Sequence, residues 1–73
     1  MQKLCLTDNC YNITKQLAKK LEFLSHVGRH IEDAQKIGDE KTKTIWETIR
    51  SDEERHAGML RDLLIADVKG NKL

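Results

Sequence analysis

Two side chains stand where chemistry is costly and therefore informative. Glu53 and His56 are three residues apart, inside the apolar pattern Ile45, Ile49, Leu60 and Leu63. On a helix turning ~100° per residue, those apolar residues and the Glu–His pair share one sector. Glu53 and His56 then lie one above the other on the same face. A carboxylate in an apolar stripe is expensive unless it is paired or bound to a metal ion. Carboxylate oxygen and imidazole nitrogen suit iron or manganese, and no inward-facing thiolate argues for a softer metal.

The rest of the chain offers competitors and accessories. Lys20 falls in the apolar sector of the preceding helix at nearly the height of Glu53. A Lys20–Glu53 ion pair with His56 hydrogen-bonded beside it is therefore a second reading of the same anomaly; such pairs stabilise little but fix register. His26 and His30 are four apart on a polar flank with Glu22 and Asp33; two histidines so spaced chelate zinc or iron, and more often are titratable surface groups. Asp52 and Glu54 flank the Glu–His pair, and a solvated acidic turn fits Glu54 better than Asp52. Tyr11 and Trp46 read as packing groups, and Gly28 as a gap admitting a bulky neighbour such as Trp46. Cys5 and Cys10, five apart, do not match Cys-x-x-Cys spacing. Read functionally they are a redox pair or extra metal ligands; in a reducing cytosol they are expected instead to be free thiols on a poorly ordered N-terminal arm, not a structural disulfide. Asn12-Ile13-Thr14 matches a glycosylation sequon and is better explained as part of a helix entry.

Elements to position these groups are easily read. There is no proline, and Leu, Lys, Glu, Ala and Arg favour helix throughout. Ile13, Leu17, Leu21, Leu24, Val27, Ile31 and Ala34 recur at steps of three and four, one helical stripe over about residues 11–36. Gly38 suits a helix stop and Asp39 the next N-cap. A second helix follows over about 41–68, carrying Ile45, Ile49, Leu60, Leu63 and Leu64, with Trp46, Ala57 and Met59 beside them. Residues 1–10 read as an N-terminal arm and 69–73 as a frayed C-terminus stopped by Gly70. No alternating β-branched run suggests a strand. The fold class is thus all-α, an antiparallel two-helix hairpin. Each apolar stripe is wider than one partner helix covers, so the hairpin should pair into a four-helix bundle, a homodimer or larger.

Composition narrows the function. Thirteen Lys and Arg oppose 12 Asp and Glu for a formal charge of +1, with 38% hydrophobic, 34% charged and 4% aromatic residues. The core must be thin and aliphatic. No basic field exists to hold nucleic acid, no apolar run spans a membrane, and Met1-Gln2-Lys3-Leu4-Cys5-Leu6 lacks a signal peptide's apolar stretch. A soluble, cytoplasmic protein is expected.

The segment Gly38-Asp39-Glu40 through Ile49-Arg50-Ser51-Asp52-Glu53-Glu54-Arg55-His56-Ala57-Gly58-Met59-Leu60 resembles the second helix of the ferritin-like and rubrerythrin superfamily. The Glu53-x-x-His56-Ala57 core carries the likeness. A two-helix chain looks most like the encapsulated-ferritin type, in which hairpins pair to build the metal centre. The resemblance covers about residues 17–66, and only its second-helix part is specific. It implies a ferritin-like bundle whose di-iron carboxylate site is shared between subunits and oxidises Fe(II), a ferroxidase-like activity. Glu-x-x-His from one helix of each copy and a Glu from the other would supply the ligands; manganese and zinc fit the same donors. Glu53 and His56 match that pattern. For the first-helix carboxylate, counting back from Glu53 lands on Phe23, with Glu22 next to it. Glu22 is the candidate, although an ideal wheel puts it nearly opposite the Leu17–Leu24–Ile31 stripe, so a one-residue bulge would have to turn it inward. Glu32 lies nearer the core edge but too close to the loop. No shell-targeting tail of the kind carried by encapsulated cargo is evident in Ile65–Leu73. The competing expectation is a non-enzymatic dimerisation or adaptor hairpin held in register by Glu53, Lys20 and His56.

Overall fold

A computed structural model describes residues 5–73; the first four residues of the N-terminal arm lie outside the described residues. The chain forms two helices, α1 (Asp8–Lys36) and α2 (Glu40–Lys69), and no strand occurs among the described residues. A 30-residue helix is about 45 Å long, so in a molecule 50 × 24 × 14 Å both helices run its whole length. Lys20 meets Glu53, His30 meets Trp46, and the residues before α1 meet Leu73. These three contacts are at successive heights, so the helices are antiparallel.

Each helix begins and ends on local chemistry. Thr7 is extended (φ −110°, ψ 151°) and its Oγ1 accepts from the Cys10 amide at 3.1 Å, which starts α1 three residues earlier than the apolar stripe suggests. At the other end Gly38 takes φ 72°. Its N–H reaches the Gln35 carbonyl (3.1 Å), and the Asp39 N–H reaches that of Ala34 (2.9 Å). This pair of bonds is the Schellman arrangement, which needs a left-handed residue at this point. Asp39 then caps α2: Oδ1 accepts from the Thr42 amide (3.0 Å) and Oδ2 from the Thr42 hydroxyl (2.7 Å). Those bonds hold the Asp39 carboxyl below its ordinary range, the hydroxyl bond contributing most.

The C-terminal end differs from expectation. Gly70 is a helical cap at φ −86°, and Asn71 takes the left-handed position at φ 55°. Asn71 N–H and Lys72 N–H bond the Val68 and Asp67 carbonyls at 3.2 and 2.8 Å, a second Schellman closure. Asn is the residue that best replaces Gly there. Leu73 is tied down as well, its carbonyl oxygen accepting from the amides of Leu6 and Thr7. Residues 70–73 are therefore hydrogen-bonded rather than frayed.

A second correction concerns the cysteines. Cys5 and Cys10 form a disulfide, with Cα atoms 5.4 Å apart, and neither is a free thiol. The expectation of two reduced thiols followed from an assumed compartment. Geometry favours bonding here, because the extended Thr7 turns the chain back and brings residue 5 beside the first turn of α1.

Packing between the helices is thin. Cys10, Ile13, Val27, Ile31 and Ala34 of α1 are buried, but only Ala57 of α2 is. Ile45, Ile49, Leu63 and Met59 of the second stripe remain exposed, as does Leu21 of the first. Gly28 admits no bulky neighbour: a methyl group placed on it would have nothing within 4 Å. Trp46 instead lies against the His30 ring, centroids 4.8 Å apart.

Candidate metal half-site and polar lock

Glu53 and His56 share one face of α2 because a straight helix brings residues three apart together. Their side chains touch, with Nδ1 of His56 3.0 Å from Oε1 of Glu53. The Glu53 side chain is 17% exposed and that of His56 40%. Lys20, reaching across from α1, places Nζ 3.1 Å from Glu53 Oε2 and 3.4 Å from Oε1. A single carboxylate is thus held between an imidazole from its own helix and an ammonium from the other.

The electrostatics follow. The hydrogen bond from His56 does most to hold the Glu53 carboxyl below its ordinary value; the Lys20 bond and the charges of both partners add to it, against partial desolvation. Glu53 is accordingly ionised at neutral pH. An ionised carboxylate only accepts, so Nδ1 of His56 carries the proton in this contact. Nε2 then accepts from Arg55 Nη2 at 3.5 Å, a long contact on the exposed surface. A carboxylate orienting one ring nitrogen is how proteins present the other to a metal, which here would have to displace the Arg55 contact.

Glu22 does not join this pair. It is exposed, and α1 runs through it as an unbroken α-helix without the bulge that would turn it inward. Ser25 Oγ donates to its carbonyl at 2.6 Å, a bond within the exposed helical surface. Phe23, half-buried, and Lys20 occupy the side of α1 that Glu22 was expected to reach. Glu32 is exposed too. Among the described residues, no three His, Cys, Asp or Glu side chains of one hairpin come close enough to hold a metal ion. One chain therefore offers two donors of the right chemistry, Glu53 and His56, and not the three that the ferritin-like resemblance implies.

The remaining candidates sort themselves by their partners. Asp52 lies 3.9 Å from Arg55 and Glu54 3.8 Å from Arg50, surface pairs that contribute little. His26 and His30 are both exposed, His30 with its ring tilted against that of Trp46. Tyr11 is 57% exposed, too open for a core group. Sequence patterning gave no signal for Asp67, whose Oδ2 is buried without a hydrogen-bond partner among the described residues. It lies eleven residues after His56, three helical turns further along the same face.

The chain matches none of the protein-family models, curated proteins or solved structures with which it was compared. The architecture defines the class: a two-helix hairpin carrying a Lys–Glu–His cluster on its interhelical seam. Neither helix is long and apolar enough to cross a membrane.

Proposed function

We propose that this chain is a ferritin-like metal-binding protein that works as a pair of hairpins, with Glu53 and His56 of each copy facing a shared centre and ferrous iron as the favoured cargo. The observation that carries this reading is a mostly buried carboxylate touching a half-exposed imidazole beside an apolar face that its own hairpin leaves open. Two copies would present two carboxylates and two imidazoles, a donor set suited to iron or manganese and acceptable to zinc. Iron held in this way is open to oxidation by dioxygen or peroxide, the ferroxidase-like chemistry that the resemblance implies. The work of this chain's own residues is positional. α2 fixes Glu53 and His56 on one face, and the open stripe excludes water once covered. Lys20 neutralises Glu53 until a metal cation replaces it.

That replacement defines the test. Purified protein is titrated with Fe(II) near pH 7 while its mass in solution is measured, for wild type and for Glu53→Ala, His56→Ala and Lys20→Met. Protein-dependent uptake should be lost in the first two variants and strengthened in the third, where no ammonium competes. Binding should weaken in acid, where protons compete with the metal for its ligands. No uptake by wild type, or uptake indifferent to Glu53, sinks the proposal.

The Lys20–Glu53 contact favours a second reading, a non-enzymatic dimerisation or adaptor hairpin with a polar register lock. Under it, a chelator leaves the melting temperature unchanged, and Glu53→Leu is neutral or stabilising, as for other buried pairs replaced by apolar residues.

A further inference from the structure

The residues preceding α1 are held by features that the metal half-site does not use. Cys5 lies outside the helix, partly exposed, and is bonded to Cys10, which is fully buried at the third position of α1. Between them, the amides of Leu6 and Thr7 both donate to the Leu73 carbonyl oxygen, so this short loop also closes over the end of α2. Cys5 Sγ lies 3.4 Å from Thr14 Oγ1, the one other polar contact of its side chain among the described residues. Leu6 is 88% exposed and brings no packing of its own. The disulfide is therefore the chief restraint on the segment that ties the start of α1 to the end of α2.

We propose that Cys5–Cys10 is a redox clasp, opened by a cellular dithiol reductant, that sets whether the two chain ends are fastened together. The chemistry balances as thiol–disulfide exchange. A thiolate of the reductant attacks Cys5 Sγ, the Cys5–Cys10 bond breaks, and Cys10 leaves as a thiolate that takes up a proton. The second thiol of the reductant then displaces Cys5, giving two protein thiols and an oxidised dithiol, two electrons having passed to the protein. Attack falls on Cys5 because Cys10 is inaccessible. The Cys10 thiolate forms in the first turn of a 29-residue helix, where the helix dipole favours negative charge. Once the bond is open, Thr7 still caps α1 through its local bond to Cys10, whereas the Leu6 and Thr7 bonds to Leu73 lose the restraint that aligns them.

Amide hydrogen exchange on the full chain tests this, comparing air-oxidised protein, protein reduced with dithiothreitol, and the Cys5→Ser/Cys10→Ser double variant. Reduction should speed exchange at Leu6 and Thr7 by about tenfold or more while Glu53 to Ala57 keep their protection. The double variant should match the reduced protein. Brief exposure to glutathione, a monothiol, should trap the mixed disulfide on Cys5. Unchanged exchange on reduction, a mixed disulfide found on Cys10, or two alkylatable thiols in the air-oxidised protein overturns the clasp. If the double variant fails to fold, the reduced wild-type chain still decides the matter.

Discussion

Glu53 shows how one side chain can be over-determined by its neighbours. Its carboxylate accepts from both His56 and Lys20, and both bonds exist only in the folded hairpin. Its pKa is therefore lower folded than unfolded, where it has the ordinary value of 4.5. A group of that sign contributes stability above its unfolded value and loses it as pH falls through the folded value. Denaturant midpoints of wild type and Glu53→Gln should differ by a constant amount near neutrality. They should converge as pH falls below about 4.5 and the carboxylate is protonated. A difference that persists unchanged into acid would mean that the Glu53 charge plays no part. His56 is best read through its second ring nitrogen. With Nδ1 committed to Glu53, Nε2 is the atom a metal or a partner would meet.

At the scale of elements, the helix ends carry most of the local specification. Gly38 at φ 72° sits where an L side chain is strained, so Gly38→Ala should cost about 1–2 kcal/mol, and Gly38→Asn less. Urea unfolding followed by circular dichroism measures both. Thr7→Ala removes the α1 cap and should cost about 1 kcal/mol in the same assay. The mid-helix glycines should behave oppositely. A methyl group at Gly28 or Gly58 meets nothing within 4 Å, so Gly28→Ala and Gly58→Ala should each stabilise the hairpin by about 0.4–1 kcal/mol. Should Gly58→Ala instead destabilise, and more so at high protein concentration, a second copy must approach that glycine.

At the scale of the whole molecule, the hairpin leaves much of its apolar surface uncovered. Ile45, Ile49, Leu63 and Leu21 are all exposed while α2 buries only Ala57, which is little core for a 73-residue chain. Sedimentation equilibrium should show mass rising with concentration above the 8.5 kDa of one chain, together with a melting temperature that rises with it. Ile49→Asp/Leu63→Asp should hold the protein at one copy and lower its helicity. A wild-type protein that stays monomeric and fully helical at every concentration would remove the paired-hairpin proposal and the shared metal centre together. It would leave the Cys5–Cys10 clasp untouched.

The sequence by itself determined the two helices, the Gly38-Asp39 break, the antiparallel hairpin and the shared face of Glu53 and His56. All of these follow from periodicity, capping chemistry and short connections, which act within a few residues. It also left two fates open for Glu53, an ion pair with Lys20 or a ligand role with His56. In the folded chain both neighbours touch it, because the exact axial offset of two helices depends on how their side chains interdigitate. Glu22 shows the same limit. Counting residues sets its height, but only the unbroken rotation of α1 decides that it faces outward. The disulfide and the left-handed Asn71 were likewise decided in three dimensions. Each turns on backbone dihedrals, the extended Thr7 between the cysteines and φ 55° at Asn71, which a residue pattern read along one dimension does not specify.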